Sequence, residues 1–253
     1  MQPPSARVAP VPTPVSAAII AALLICAAAA WLFTVMQSAS MGMGGVAMMS
    51  AGLFLVTWLV MMVAMMFPSV APMVLAYASM SRSRGEGVLP TTAFVLGYLL
   101  VWTAAGLVPL LVLQAFNQMW IPAPSWLPRV GGVVIVLAGV YQFTPLKNAC
   151  LSACRSPLGF LLTHNFAAGP TGAIRAGSSH GLYCLGCCWA LMAVLAVVGL
   201  MNIAWMAAIA AIFFLEKNVR RGELLPRVVG VVCIAGGLAV IAWPALLAGP
   251  KPM

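Results

Sequence analysis

Five of the seven cysteines in this sequence lie between residues 150 and 188, at spacings that could place several thiols around one metal ion. A histidine precedes three of them, and the candidate ligands are His180, Cys184, Cys187, Cys188, Cys150 and Cys154. If residues 180–188 are helical, the imidazole and the first two thiols fall on one stripe about 60° wide. Thiolate and imidazole are ligands of Cu(I), Zn(II) and iron–sulfur clusters. The spacing therefore predicts a metal site, whereas the alternative is that cysteine acts here as a small apolar residue in buried helices.

Eleven of the seventeen methionines fall between residues 36 and 80, and they form a second group of soft ligands. The group begins in a glycine-rich segment, at positions 41, 43, 48 and 49. Its central members would share one broad helical face and are Met61, Met62, Met65 and Met66. Thioether sulfur selects Cu(I), whereas a structural role would be the packing of irregular helix interfaces. Methionines followed by cysteines predict a path for a soft cation. Copper is therefore the favoured metal, with zinc or an iron–sulfur cluster as alternatives.

The composition indicates the kind of protein that must position these ligands. Of 253 residues, 64% are hydrophobic and only 6% are charged, against roughly a quarter charged in soluble domains. This chain therefore belongs in a lipid bilayer. It contains three acidic residues, all glutamate, which argues against hydrolases and phosphoryl-transfer enzymes that depend on aspartate. We predict no catalytic residues and no organic cofactor site, and we leave open whether the protein is an enzyme.

An all-helical bundle of about seven membrane spans is the predicted fold, since each span needs about 20 apolar residues. The expected spans are 16–36, 50–67, 90–113, 129–144, 181–200, 203–216 and 226–248. The helix of the second span is expected to continue to about residue 80. They form a single transmembrane domain over 16–248, preceded by a disordered proline-rich tail over 1–15. A tight turn at Gly199–Asn202 would separate the fifth span from the sixth. Pro68 and Pro72 should kink or break the helix of the second span and free backbone carbonyls.

The basic residues predict the orientation, because Lys and Arg concentrate in cytoplasmic loops. With a cytoplasmic N-terminus, ten of the twelve basic residues fall on the inner side. The net charge of +9 is therefore read as a topology signal, and no nucleic-acid partner is expected. This orientation places the thiols at the cytoplasmic end of the fifth span of an inner-membrane protein, where they stay reduced. Ser178 or Ser179 would cap that helix, and its N-terminus would favour thiolate.

Several other polar or sulfur-containing residues are expected to have structural roles. Glu216 and Lys217 should anchor the end of the sixth span at the membrane surface. Asn202, Asn117 and Gln142 are expected to cap helices or to form hydrogen bonds between them. We expect His164 to lie in a loop, and Cys26 and Cys233 to pack as small apolar residues.

The sequence resembles the bacterial family of predicted metal-binding integral membrane proteins, a domain of unknown function. The resemblance extends over about residues 50–220. It rests on the segments Met61-Met-Val-Ala-Met-Met-Phe-Pro-Ser69, Tyr141-Gln-Phe-Thr-Pro-Leu-Lys-Asn-Ala-Cys-Leu-Ser-Ala-Cys-Arg-Ser-Pro157, His180-Gly-Leu-Tyr-Cys-Leu-Gly-Cys-Cys-Trp189, Met201-Asn202 and Glu216-Lys217. It implies a multi-span membrane protein whose metal site involves Cys150, Cys154, His180, Cys184, Cys187 and Cys188.

The favoured function is soft-metal handling, either transport or delivery of the ion to a membrane metalloenzyme. The main alternative is a non-catalytic scaffold or accessory subunit of a larger membrane complex, in which the cysteines would be incidental. A membrane thiol oxidoreductase is a third hypothesis, and the reducing cytoplasmic side argues against it. Apart from lipid, the expected partners are a membrane metalloenzyme or the subunits of such a complex.

Overall fold

The computed structural model describes residues 13–40, 49–118, 126–163, 167–200, 202–219 and 224–248, and these ranges contain helices and no strand. The helices are α1 (Thr13–Ser40), α2 (Ala51–Ser83), α3 (Leu89–Gln118), α4 (Leu127–Tyr141), α5 (Pro145–Arg155), α6 (Pro157–Thr163), α7 (Gly169–Val198), α8 (Ile203–Asn218), α9 (Leu224–Ala242) and α10 (Ala245–Ala248). The all-helical prediction is confirmed. Residues 1–12 of the predicted tail, the methionines at 41, 43 and 48, His164 and the Asn117 side chain lie outside the described residues.

The prediction of seven spans is not supported. Within the part of the chain that the structure describes, five helices are long and apolar enough to cross a bilayer, at Pro14–Ala39, Ala51–Ser83, Leu89–Ala115, Gly169–Val198 and Leu224–Ala242. A sixth span would need α4 and α5 together, and these are bent by 65° at their junction. The predicted sixth span corresponds to α8, whose 16 residues reach only about 24 Å against a hydrocarbon core of about 30 Å. Which side each end faces stays a prediction.

Polar side chains define where several helices begin. Ser50 caps α2 by accepting from the Leu53 N–H, and Thr144 caps α5 in the same way, followed by Pro145 at the first turn. Asn202 caps α8, with its Oδ1 accepting from the Trp205 N–H at 3.2 Å, so its predicted capping role is confirmed. The predicted turn between α7 and α8 is also present, and Gly199 allows it with a φ of +110°. At the N-terminus of each of these helices, a side-chain oxygen therefore accepts from a backbone N–H that has no partner within the helix.

The second span does not break at its prolines. Helix α2 continues through Pro68 and Pro72 to Ser83, three residues beyond the predicted end of the helical continuation at residue 80. Because Pro68 has no N–H, the carbonyl of Ala64 loses its partner within the helix. The Trp31 indole of α1 donates to that carbonyl at 3.0 Å. The carbonyl that the sequence predicted to be released from the helix is therefore present, and its hydrogen bond with Trp31 joins α1 to α2.

Helix α7 begins twelve residues before the predicted start of the fifth span, which corrects the expected position of the thiols. It runs from Gly169 to Val198, so residues 180–188 lie in its middle and not at its N-terminus. Ser178 does not cap a helix; its hydroxyl donates to the Gly97 carbonyl of α3 at 3.1 Å. A helix N-terminus therefore does not help to form the thiolates.

Helices α2 and α7 lie at the centre of the bundle. In the most apolar stretch of each helix, the buried share is 61% for α2 and 50% for α7, against 22–28% for the other three long helices. Helix α3 packs closely against α7 because Gly177 meets the backbone of Phe94 and Gly97 meets the backbone of Ile174. Helix α5 contacts α7, and α8 contacts both α2 and α7. The residues predicted to bind metal therefore lie where α2, α5, α7 and α8 converge.

Candidate metal centre

Three thiols of α7 form the centre of the site. The Sγ atoms of Cys184, Cys187 and Cys188 all lie within 4.8 Å of one another, and the three side chains are at most 1% exposed. Cys187 Sγ is 3.4 Å from Cys188 Sγ and 3.2 Å from the carbonyl oxygen of Cys184. We call these three residues the thiol cluster. Their position on one inward face follows from the helical periodicity that predicted them.

Helix α5 brings further sulfur to the thiol cluster. Cys154 Sγ lies 3.9 Å from Cys187 Sγ, so a fourth thiol adjoins the three of α7. Cys150 is buried beside it, with its Sγ against Gly186, where any Cβ would lie 2.6 Å from that sulfur. Glycine at this position allows α5 and α7 to pack closely. The predicted pairing of the two cysteine motifs is therefore present in space, more closely for Cys154 than for Cys150.

Charged residues missing from the predicted site lie directly beside it. Lys217 Nζ donates to Cys184 Sγ at 3.1 Å and lies 3.7 Å from Met66 Sδ. Its neighbour Glu216 forms a buried ion pair with Lys147 of α5 at 2.8 Å. Glu216 and Lys217 are 1% and 8% exposed, so the prediction that they anchor α8 at the membrane surface is wrong. A charge that is buried inside a membrane protein needs a partner. Glu216 has Lys147 as its partner, and Lys217 has the sulfur of Cys184.

His180 lies one turn before Cys184, on the same buried face of α7. Its ring is surrounded by Phe94, Tyr98 and Phe160, with centroids 5.4–6.2 Å away. Its Nδ1 is buried without a hydrogen-bond partner, and the ring does not join the group of atoms within 4.8 Å. Tyr98 connects this aromatic environment to the cluster, because its hydroxyl lies 3.1 Å from Cys184 Sγ.

The predicted methionine face is buried in α2. Met61, Met62, Met65 and Met66 are each at most 3% exposed. Met66 approaches the site through Lys217, as described above, whereas the other three pack in the core of the bundle. Cys26 is exposed and Cys233 half-buried, and each stands alone in an apolar helix. Sulfur from α2, α5 and α7 therefore meets near Lys217.

Long apolar helices around a buried cluster of thiols are typical of a helical membrane protein, and the three thiols of α7 are close enough together to hold a metal ion. The model of the copper chaperone family PpoB2 matches residues 55–240 of this chain. The chain belongs to that family, which confirms the resemblance to metal-binding membrane proteins and indicates a role in copper handling. The match includes α2 to α9, apart from the first residues of α2 and the last of α9. No curated protein and no solved structure matches the chain.

Proposed function

We propose that this protein binds Cu(I) as cargo at the thiol cluster and passes it to a copper-requiring protein in the membrane. Cys184, Cys187 and Cys188 would hold the ion, with Cys154 as the further thiol from α5. The observation that carries the proposal is the approach of four buried sulfur atoms from two helices. Cu(I) prefers thiolate, and it accepts two or three such ligands without the open position that a catalytic zinc site needs.

The buried charges favour a monovalent ion. Lys147 and Glu216 neutralise each other, and among the described residues Lys217 forms no ion pair with a carboxylate. Its nearest anionic partner is therefore the sulfur of Cys184. When two thiols of the cluster are deprotonated and the third stays a neutral thiol, Cu(I) and its ligands carry a net charge of −1, which the Lys217 ammonium balances. Zinc in four thiolates would carry −2, leaving an uncompensated charge in a buried site, which is unfavourable.

His180 and the methionines have supporting roles in this proposal. The unpartnered Nδ1 of His180 is a donor atom that can turn toward an arriving ion one turn from Cys184. Met66 would act as a transient thioether ligand, since its sulfur already lies against Lys217. Met61, Met62 and Met65 continue that face along α2. We assign Cys150 to the outer part of the site, beside Gly186.

The test is the copper content of protein purified without oxygen. Wild type should carry stoichiometric copper, and the triple variant Cys184/Cys187/Cys188→Ser should lose it. The matched control is Cys26/Cys233→Ser, which removes two thiols outside the cluster and should keep the copper. Metal-free wild type, or copper retained by the triple variant, would refute the site. A stoichiometric protein partner with no metal would instead favour the scaffold hypothesis.

Transport and delivery can be separated once the copper site is established. Protein reconstituted in sealed vesicles should transfer Cu(I) to an apo copper protein outside without accumulating copper in the lumen. Copper accumulation inside the vesicles that requires the thiol cluster would identify a transporter instead. In both measurements, the triple variant Cys184/Cys187/Cys188→Ser gives the background signal.

A further inference from the structure

The sulfur atoms of Cys154 and Cys187 are close enough to form a bond between two helices. They lie 3.9 Å apart, one on α5 and the other on α7. A disulfide has an S–S distance of about 2.05 Å, so the two atoms must approach each other by roughly 2 Å. Gly186 precedes Cys187 and lets α5 lie close to α7, because a Cβ there would meet the sulfur of Cys150. The contact between α5 and α7 therefore holds a pair of thiols that can be joined.

Other thiol pairs at the site are less suited to a disulfide. The Sγ atoms of Cys187 and Cys188 are 3.4 Å apart. However, the Cα atoms of adjacent residues are only about 3.8 Å apart, and a disulfide usually spans about 4.4–6.8 Å. Cys184 Sγ is already in contact with Lys217 Nζ and the Tyr98 hydroxyl, each at 3.1 Å. The pair formed across the two helices is therefore favoured.

Helix α5 is held beside the thiol cluster, and the bend before it is less restrained. The Lys147–Glu216 ion pair ties α5 to α8, and Arg155 Nε donates to the Glu216 carbonyl at 2.6 Å. The bend between α4 and α5 is 65°, and the buried Gln142 side chain in it has no hydrogen-bond partner. The sequence predicted a cap or an interhelical hydrogen bond from Gln142, and its side chain forms neither. The ties keep the thiols close, while the bend allows the small movement that closes the bond.

Cys154 is the thiol of this pair that an oxidant reaches first. It is 9% exposed, whereas the three thiols of α7 are at most 1% exposed. Redox-sensing cysteines are accessible thiols that lie next to a resolving cysteine, and Cys187 takes that second position. The Lys217 ammonium beside the cluster favours the reactive thiolate. This arrangement suits a transient disulfide of the kind that sensors form even in reducing compartments.

We propose that Cys154 and Cys187 are a modification site at which hydrogen peroxide forms a disulfide. The Cys154 thiol reacts with one H₂O₂ to give a sulfenic acid and water. The Cys187 thiol then attacks the sulfenic sulfur, which forms the S–S bond and releases a second water. Two thiols are thereby oxidised and one peroxide is reduced, with both thiol protons leaving in water.

The disulfide would regulate the copper site, because it takes two of the four sulfur atoms away from the ion. It would also fix α5 against α7. The effect on copper rests on the proposed function, whereas formation of the disulfide does not depend on it.

The test uses metal-free protein with four remaining thiols, the Cys26/Cys150/Cys233→Ser variant. It is treated with hydrogen peroxide in mild detergent, alkylated, digested with trypsin and analysed by mass spectrometry. We expect a link between fragments 148–155 and 176–217, with a mass lower by two hydrogens than the sum of the reduced fragments. Further substitution Cys184/Cys188→Ser should keep the link, and Cys154→Ser or Cys187→Ser should abolish it. The wild-type chain should form the same link, so the result does not depend on the folding of the variants.

Three outcomes overturn the proposal: no link in folded protein, a link only after denaturation, or a link that persists in Cys187→Ser. A second measurement compares Cu(I) binding by oxidised and reduced wild type after the peroxide has been removed. Oxidised protein should bind Cu(I) more weakly until it is reduced with dithiothreitol, and equal binding would contradict the regulatory effect. Protein that forms the link and binds no copper in either state would refute the proposed function and leave the disulfide site in place.

Discussion

The packing of α4 against α9 can be tested with two adjacent glycines of α9. A Cβ at Gly237 would lie 2.7 Å from the carbonyl oxygen of Gly132 and 2.8 Å from the backbone nitrogen of Val136. A Cβ at Gly236 would have nothing within 4 Å. A third contact, with the Val136 side chain, is also at 2.7 Å. Since the other two contacts are with backbone atoms, Gly237→Ala must push the two helices apart by more than half an ångström. Overpacking of this kind costs about 1–3 kcal/mol.

The difference between Gly237→Ala and Gly236→Ala isolates that contact. Both substitutions exchange glycine for alanine inside the same helix, so the gain in helix propensity of about 1 kcal/mol is common to both. We expect Gly236→Ala to melt at or above wild type in mild detergent. Gly237→Ala should melt lower than Gly236→Ala by about 2–12 °C, because each kcal/mol shifts Tm by about 2–4 °C at this chain length. Equal melting temperatures for the two variants would show that α4 and α9 are not in contact as described.

Two further predictions concern charged groups. Lys217→Met should weaken Cu(I) binding about 10- to 150-fold, because a hydrogen bond to a charged group contributes about 1.5–3 kcal/mol. Competition with a chromophoric Cu(I) chelator measures this, and unchanged affinity in a folded variant would contradict the charge argument. Glu86 accepts from the Ser81 hydroxyl at 2.7 Å and from the Gly169 N–H at 2.6 Å. These hydrogen bonds, the one from Ser81 most strongly, lower the pKa of Glu86. Its contribution to stability is therefore present above the ordinary carboxyl pKa and is lost as the pH falls through the lowered value. Melting temperatures between roughly pH 6 and pH 3 should fall less steeply for Glu86→Gln than for wild type, and parallel curves would refute that role.

The thiol cluster could be predicted from the sequence because its geometry is local. Cys184, Cys187 and Cys188 lie on one helix, where a period of 3.6 residues places them together whatever surrounds them. The position of that helix could not be predicted in the same way. Ser178 resembles a helix-capping residue, but in the bundle its hydroxyl is satisfied by Gly97 of α3. A polar residue with a partner on a neighbouring helix can lie inside a span, so it does not mark the end of one.

The charged residues of the site could not be predicted from the sequence, because their contacts join distant parts of the chain. Lys217 is 33 residues from Cys184, and Glu216 is 69 residues from Lys147. Two adjacent charges at the end of an apolar run usually lie at a membrane surface. Here α8 is short, and in its last turn Lys217 contacts Met66 of α2 while Glu216 pairs with Lys147 of α5, so both side chains point inward. A surface position and a buried position can be distinguished only from the partner residues. The periodicity of α8 does not identify those partners.

The division of sulfur between two helices affects how an ion could leave. Cys184, Cys187 and Cys188 move as one unit because α7 is continuous, whereas Cys154 belongs to an eleven-residue helix bounded by a bend and by Pro157. A small displacement of α5 would change the number of available thiols from four to three while the α7 ligands stay in place. Ligand exchange with an acceptor could then proceed one thiol at a time, without a stage at which the ion is free. The Lys147–Glu216 pair ties α5 to α8 and would limit that displacement.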